Sequence, residues 1–226
     1  MLVQEAIHSS HQIKEEGMVI KLDLANAFDR VRHDFLFLVM KKLGFSASFV
    51  NWVQGCINSP WIAPLVNVRS TDFFQASRGL RQGCPLSPLL YAIQASVLSF
   101  QLTEAQQRNV LPGLQMAANV KNINHAQFAD DTLLMGGAST QAAKQFNQEL
   151  AIYKQVSGSK INFQKSKIYG WNCTVRDLGA IARILGMEAV HDWDSITYLD
   201  VPISKGTLKA NQWNPILDKF KSRIQN

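Results

Sequence analysis

Cysteine is scarce in this chain: Cys56, Cys84 and Cys173 are few, odd in number and far apart. That spacing suggests neither a disulfide framework nor a zinc cluster, and it suits an intracellular, reducing compartment. No apolar run approaches the roughly 20 residues needed to span a bilayer. The opening stretch MLVQEAIHSSHQIKEEG lacks the layout of a secretory signal peptide. Acidic side chains are in the minority, 17 against 23 Lys and Arg, for a net charge of +6. A pI near 9.3 suits a polyanionic partner, although many basic proteins bind none. Internal repeats and low-complexity tracts are also absent. What remains is an ordinary globular composition: 226 residues, 46% apolar and 18% charged. That is enough to bury a core in one generous domain or two small ones.

The apolar periodicity predicts a mixture of elements. Residues 3–15 suit a helix. GMVIKLDLANAFD reads as a strand in which Ile20, Leu22 and Leu24 face one way and Lys21 and Asp23 the other. DFLFLVMKKLG and SASFVNWVQGCI read as helices, with Gly44 a C-cap and Ser46 an N-cap. WIAPLVNV and TDFFQAS read as extended. After the loop RGLRQG comes a helix on which Leu86, Leu89, Leu90, Ile93, Val97 and Phe100 form an apolar stripe. Pro85 and Pro88 belong in its first turn, where a missing N–H does no harm.

Residues 122–135 read as a hairpin, and 139–157 as a helix buried through Ala143, Phe146, Leu150 and Tyr153. KINFQKSKIYGW reads as extended. TVRD has a capping-box pattern and starts a short helix that stops near Gly186. ITYLDVPIS is a strand or hairpin, and residues 208–224 close the chain as a helix. Strands and helices mix without a strict βαβ rhythm, so the class is α+β.

HAQFADDTLLM sets Asp130 and Asp131 side by side at the head of an apolar run. Like charges about 4 Å apart repel by roughly 4 kcal/mol at an effective dielectric near 20. Such a pair calls for a positive partner, either a side chain or a metal ion. Carboxylates are hard donors suited to Mg²⁺, and Asp23 near the end of the first strand is a third. Two ions about 3.5–4 Å apart can activate an attacking hydroxyl and stabilise a leaving oxygen. Strand alternation would send Asp130 and Asp131 to opposite faces unless a tight turn falls there. Turn chemistry accounts for an Asp pair as well, and pairing with Lys21 on its own face accounts for Asp23.

Taken together, KLDLANAFD, RGLRQGCPLSPLLY, FADD, SGSKINFQKS and YLDVPIS resemble, in order, the palm motifs of reverse transcriptases. They are most similar to those of non-LTR, LINE-type retrotransposons, especially the plant ones, and the resemblance runs from about Gln4 to Lys219. It implies a right-hand polymerase palm, an antiparallel sheet backed by helices, over residues 18–207. Residues 1–17 would be a remnant of the fingers and 208–226 the start of a thumb or a C-terminal helix. The implied activity is RNA-directed DNA polymerisation with two Mg²⁺ ions, Mn²⁺ being a substitute. A primer 3′-OH attacks the α-phosphorus of a dNTP.

By the same resemblance, Asp23, Asp130 and Asp131 are the catalytic carboxylates and metal ligands, with the Leu24 carbonyl a further donor. Phe28 matches the steric gate that crowds a ribose 2′-OH; a core aromatic is the other reading. Gln82 and Gly83 match the loop beside the incoming nucleotide and template. Arg78 and Arg81 flank it and suit phosphates, or are solvated surface arginines. Lys165 matches the lysine that protonates departing pyrophosphate, with Lys160 and Lys167 as rivals. Tyr198 and Leu199 match the primer-grip hairpin, and Asp29 reads as a cap at the start of a helix. The implied partners are an RNA template, a DNA primer and dNTPs, with no membrane, and a nuclear location follows from the family.

Two departures stand out. The family usually has YLG where this chain has Asp200, a carboxylate that would repel a primer or strain a turn that wants glycine. The finger motifs, most of a thumb and an endonuclease region are expected parts of a larger polyprotein that this chain lacks. Two alternatives therefore stand beside the polymerase: a non-catalytic remnant, and an RNA-synthesising template-directed polymerase, against which Phe28 argues.

Overall fold

The structure is a computed structural model, and it describes residues 2–58, 61–115, 120–191, 193, 196–206, 208 and 210–224. The chain divides into two compact units. The first comprises Met1–Asp23, Gln101–Glu149 and Asn162–Asn226, and the second Leu24–Phe100 and Leu150–Ile161.

The first unit is built on a five-stranded sheet. Its strands are β1 (Gly17–Leu22), β6 (His125–Phe128), β7 (Asp131–Gly137), β8 (Lys167–Trp171) and β9 (Glu188–Val190), in the order β6-β7-β1-β8-β9. All pairings are antiparallel except β8 with β9. The register sets Lys21 opposite Leu133 on one side and Lys167 on the other, and Val19 opposite Met135 and Tyr169. Val19, Leu133, Met135, Tyr169 and Trp171 therefore share a face, packed with Val3, Ala6 and Ile7 of α1 (Leu2–Gln12). Each such fully buried aliphatic side chain contributes about 1.5–3 kcal/mol. Met18, Ile20 and Leu22 are buried on the opposite face, as the alternation in the sequence requires.

The second unit carries α2 (His33–Lys42) and α3 (Ala47–Asn58). Two small ladders follow, β2 (Trp61–Ile62) with β5 (Phe74–Gln75), and β3 (Leu65–Val66) with β4 (Arg69–Ser70). Gly44 takes φ +88° beyond α2, and the Ser46 hydroxyl accepts the Phe49 N–H at 3.3 Å to cap α3. The long helix α4 (Ser87–Gln107) and α5 (Thr140–Ser157) each supply residues to both units.

Several expectations need correction. The buried residues of α4 are Ser87, Leu90, Tyr91, Gln94, Ala95, Leu98, Leu102 and Ala105, whereas Leu89 and Phe100 are exposed. Apolar side chains surround this helix, so periodicity alone selects no face. Pro85 precedes the helix rather than lying in its first turn. Only Lys167–Trp171 of KINFQKSKIYGW is a strand; Phe163 to Lys165 form a turn. The closing helix α7 (Asn214–Ile224) follows a 3-10 turn, Ala210–Trp213. Strand β9 follows α6 (Val175–Leu185) and was not anticipated, because three residues offer too little pattern. Tyr198 lies in β10 (Thr197–Tyr198), which pairs with β11 (Val201–Pro202) as the expected hairpin.

Candidate functional site

In the first unit, the acidic pair sits at a tight turn. Phe128 pairs with Asp131 across β6 and β7, which leaves Ala129 and Asp130 as the two turn residues. Ala129 adopts φ +51°, a left-handed conformation that a non-glycine residue holds only under constraint. The turn removes the strict alternation that would have sent the two carboxylates to opposite faces. Asp131 is on the face of Leu133, Lys21 and Val19. Behind it, Thr132 and Gln127 lie opposite each other. Among the described residues, neither the Thr132 hydroxyl nor the Gln127 amide nitrogen has a hydrogen-bond partner.

Asp23 lies one residue beyond β1. Its N–H donates to the buried Ser166 Oγ at 3.0 Å, and its carbonyl accepts the Asn162 N–H at 2.9 Å. The same Asn162 accepts the Lys165 N–H through its carbonyl at 3.2 Å and its side-chain oxygen at 3.3 Å. The turn carrying Lys165 is thus the one that pins the Asp23 backbone. Sequence reading did not single out Asn162 and Ser166; the spacing N-x-x-x-S, which closes such a turn, was the available signal.

Charge gathers at Asp131. Its carboxyl is held above the ordinary carboxylate value by partial burial and then by the charge of Asp130, with Asp200 and Asp23 adding to the effect. Lys21 acts in the opposite direction. Burial, followed by the Asp131 charge, also pushes the Tyr198 phenol up, which puts Tyr198 beside the acids. The Lys21 ammonium donates to the Thr197 carbonyl at 2.8 Å, and among the described residues no ion pair joins it to Asp23. The bland pairing for Asp23 is therefore not what the chain forms. Instead Lys21 ties the root of the β10–β11 hairpin to β1.

That hairpin turns through Leu199 at φ +51° and Asp200 at φ +63°. Positive φ at both positions is the two-residue turn that favours Gly, Asn and Asp, so aspartate replaces the family's glycine without a clash. Its carboxylate meets the Lys219 ammonium of α7 at 3.0 Å. Of the rival lysines, Lys167 is ion-paired with Glu188, while Lys160 and Lys165 have exposed side chains.

In the second unit, Phe28 is half-buried and stacks on Tyr91, with ring centroids 4.7 Å apart and planes 20° apart. Leu24 forms an isolated antiparallel bridge with Ile161. The loop RGLRQG is tied to the 3-10 turn Phe28–Arg30: the Leu80 N–H donates to the Phe28 carbonyl at 2.9 Å, and the Gly79 N–H to the Val31 carbonyl at 2.8 Å. Gly79 takes φ +91°, a conformation that strains any other residue, and a Cβ there would also crowd the Asp29 carbonyl oxygen at 3.0 Å. Asp29 is no cap, since Ala27 precedes the turn without a capping side chain; its carboxylate accepts the Gln82 amide at 3.4 Å. Gly83 takes φ +81° beside open space. Arg78, Arg81, Gln82 and Asp29 line a cavity of about 600 Å³ with Trp61 and Cys84.

A largely antiparallel sheet with an acid at the end of one strand and an acidic pair at the turn into its neighbour is the arrangement of a right-hand polymerase palm. The reverse transcriptase (RNA-dependent DNA polymerase) family matches residues 2–200, and the chain belongs to that family. It is 32% identical over 117 residues to a retrovirus-related Pol polyprotein from a type-1 retrotransposable element R2 of Popillia japonica. That match takes in 52% of this chain and 18% of the polyprotein. An uncharacterised mitochondrial protein of Arabidopsis thaliana is 44% identical over 68 residues, 30% of this chain and 56% of that protein. The chain therefore spans well under two thirds of these relatives. A telomerase from Candida tropicalis, solved with a fragment of telomeric RNA, shares the fold at a TM-score of 0.62. The sequences are 12% identical, and the match covers 92% of this chain and 31% of that one.

Among the described residues, no three His, Cys, Asp or Glu side chains converge into a ready metal site, and no helix is long and apolar enough to cross a membrane. The donor chemistry still fits a hard divalent ion. Mg²⁺ commonly takes only one or two carboxylates and completes its shell with water and substrate phosphates, so a converged protein triad is not required.

Proposed function

We propose that this chain is the palm of a retrotransposon-encoded RNA-directed DNA polymerase, which extends a DNA primer on an RNA template from dNTPs. The observation that carries the reading is geometric: the turn at Ala129 and Asp130 sets the acidic pair at the end of β7 that pairs with the end of β1, one residue before Asp23. Asp131 is held above the ordinary carboxylate value while the charges of Asp130, Asp200 and Asp23 act on it, with Lys21 opposing. Negative charge concentrated at the head of β7 calls for a cation, whose shell substrate phosphates would complete. Asp23, Asp130 and Asp131 would hold Mg²⁺, with the Leu24 carbonyl a further donor. Bound there, it would supply the Lewis acidity that lowers the pKa of a primer hydroxyl and neutralises phosphate charge.

The protein's own part is positioning and proton handling. Tyr198 and Leu199 hold the primer end. Arg81, Gln82 and Gly83 border the nucleotide and template, and Phe28 crowds a ribose 2′-OH. The primer 3′-OH gives up its proton to solvent as its oxygen forms a bond to the α-phosphorus and the bond to pyrophosphate breaks, and Lys165 donates a proton to the departing pyrophosphate. Lys165 is favoured over Lys167 because the latter's ammonium is engaged by Glu188.

A primer-extension assay on an RNA template with Mg²⁺ tests the reading. Extension is expected, and Asp130→Asn should lower it by at least about a hundredfold. Binding of primer–template with no extension by wild type or variant would instead support a non-catalytic remnant.

A further inference from the structure

The β10–β11 hairpin is held at both ends by lysine. At its root, the Lys21 ammonium donates to the Thr197 carbonyl at 2.8 Å. At its tip, Asp200 meets Lys219 of α7 at 3.0 Å. The two contacts differ in kind. The tip pair is wide open to solvent, with the Asp200 and Lys219 side chains 82% and 61% exposed. Such a pair contributes little to stability and weakens further in salt. Nothing in the turn demands this carboxylate, because glycine or asparagine satisfies the same positive φ. Lys219 shares its short helix with Lys221 and Arg223, and with Asp218 as the one acid of that helix.

We infer that Asp200 is an internal stand-in for phosphate: it occupies Lys219 in the free protein and gives it up to a phosphate of a nucleic-acid strand arriving along the hairpin. The inference rests on the reading that residues 197–202 meet the primer. Exchange moves Lys219 from a weak carboxylate contact to a phosphate and leaves Asp200 unpaired beside the strand. Its charge then opposes binding. Asp200 thereby sets how tightly the strand is held and how readily it leaves, a specificity-determining role that the glycine of the family pattern cannot play.

The sign of two substitutions separates this from a simple latch. Binding of the full chain to a short labelled primer–template duplex is followed by fluorescence anisotropy at low salt. Asp200→Asn keeps the turn and should tighten binding by about threefold to tenfold, the size expected from removing one like charge near the phosphates. Lys219→Gln should weaken it, and Asp200→Asn should gain less in the Lys219→Gln background than in wild type. Weakening by both variants would mark the pair as a latch for α7 and overturn the inference. So would an unchanged affinity in Asp200→Asn. Asp200→Gly, with a thermal melt alongside, guards against a misfolded variant. Absence of binding by wild type would overturn the polymerase reading together with this one, whereas binding that ignores Asp200 would overturn this one alone.

Discussion

Asp131 shows how a single residue can be legible in identity and illegible in circumstance. The sequence singles out the Asp pair because two adjacent acids at the head of an apolar run need an explanation. It could not reveal that Ala129 would hold the left-handed turn in place of glycine, since alanine carries no turn signal. The charge of Asp23 reaches Asp131 because β1 pairs with β7, and that of Asp200 comes from the separate β10–β11 hairpin, from positions 108 earlier and 69 later in the chain (131 − 23 and 200 − 131). The raised value has a testable sign. A carboxyl that binds its proton more tightly when folded stabilises the fold below the ordinary carboxylate value of 3.8. That contribution is lost as pH rises through the raised value. At neutral pH the ionised Asp131 is thus a liability, and Asp131→Asn should raise the melting temperature at pH 7. The gain should shrink towards zero as pH falls below 4, where both side chains are neutral. Millimolar Mg²⁺ should raise the melting temperature of wild type, because an ion bound only by the folded state stabilises it, and should do so far less for Asp131→Asn. Equal melting of the two proteins at pH 7, with no response to Mg²⁺, would contradict the charge assigned to this turn.

Elements were legible in proportion to how well they are punctuated. Helix α6 is the clearest, because its ends are written in the sequence. Thr174 accepts the Asp177 N–H at 3.1 Å and donates to the Asp177 carboxylate at 2.6 Å, and Gly186 closes the helix at φ +67°. Leu178, Ile181 and Leu185 supply the buried face. Thr174→Ala removes the cap and should cost about 1 kcal/mol, read as a lower denaturation midpoint at unchanged slope in urea. A loss under a few tenths would mean that burial of those three side chains, not the cap, sets the helix start. Helix α4 is the opposite case. Apolar residues ring it, so the face through Tyr91, Gln94, Leu98 and Leu102 is chosen by its tertiary partners. The polar Gln94, buried at 1% exposure, shows that packing overrode the apolar count. Strand β9 went unseen for a different reason: Glu188–Val190 is extended only because β8 offers it a parallel edge. The hairpin around Asp200 was legible as a hairpin, yet its contacts with Lys21 and Lys219 were not, since they join positions 176 apart and, by subtraction, 19 apart (219 − 200). The site was therefore readable as a set of motifs, and the turn formed by Asn162 and Ser166 that pins Asp23 was not.

At the scale of the whole molecule, the excess of six positive charges has to be placed against surface chemistry. The second unit exposes large aromatic side chains beside its arginines: Trp52 at 71%, Trp61 at 64% and Phe73 at 69%. Arg69, Arg78 and Arg81 are exposed in the same unit. Bases stack on exposed rings at about 1–3 kcal/mol each without regard to sequence, while arginine meets phosphate and releases counterions. The two contributions respond differently to salt, which allows them to be told apart on an unpaired RNA oligonucleotide. Log affinity should fall linearly with log salt, losing about 0.7 in slope for each phosphate neutralised. Trp61→Ala should weaken binding at every salt concentration while leaving the slope alone, because stacking releases no counterions. Arg81→Gln should reduce the slope by about 0.7, and its effect should fade as salt rises. A parallel loss in both variants, with the slope unchanged, would make Arg81 a surface cation with no phosphate to meet. A slope that falls in Trp61→Ala would mean that the ring orders a neighbouring arginine rather than a base.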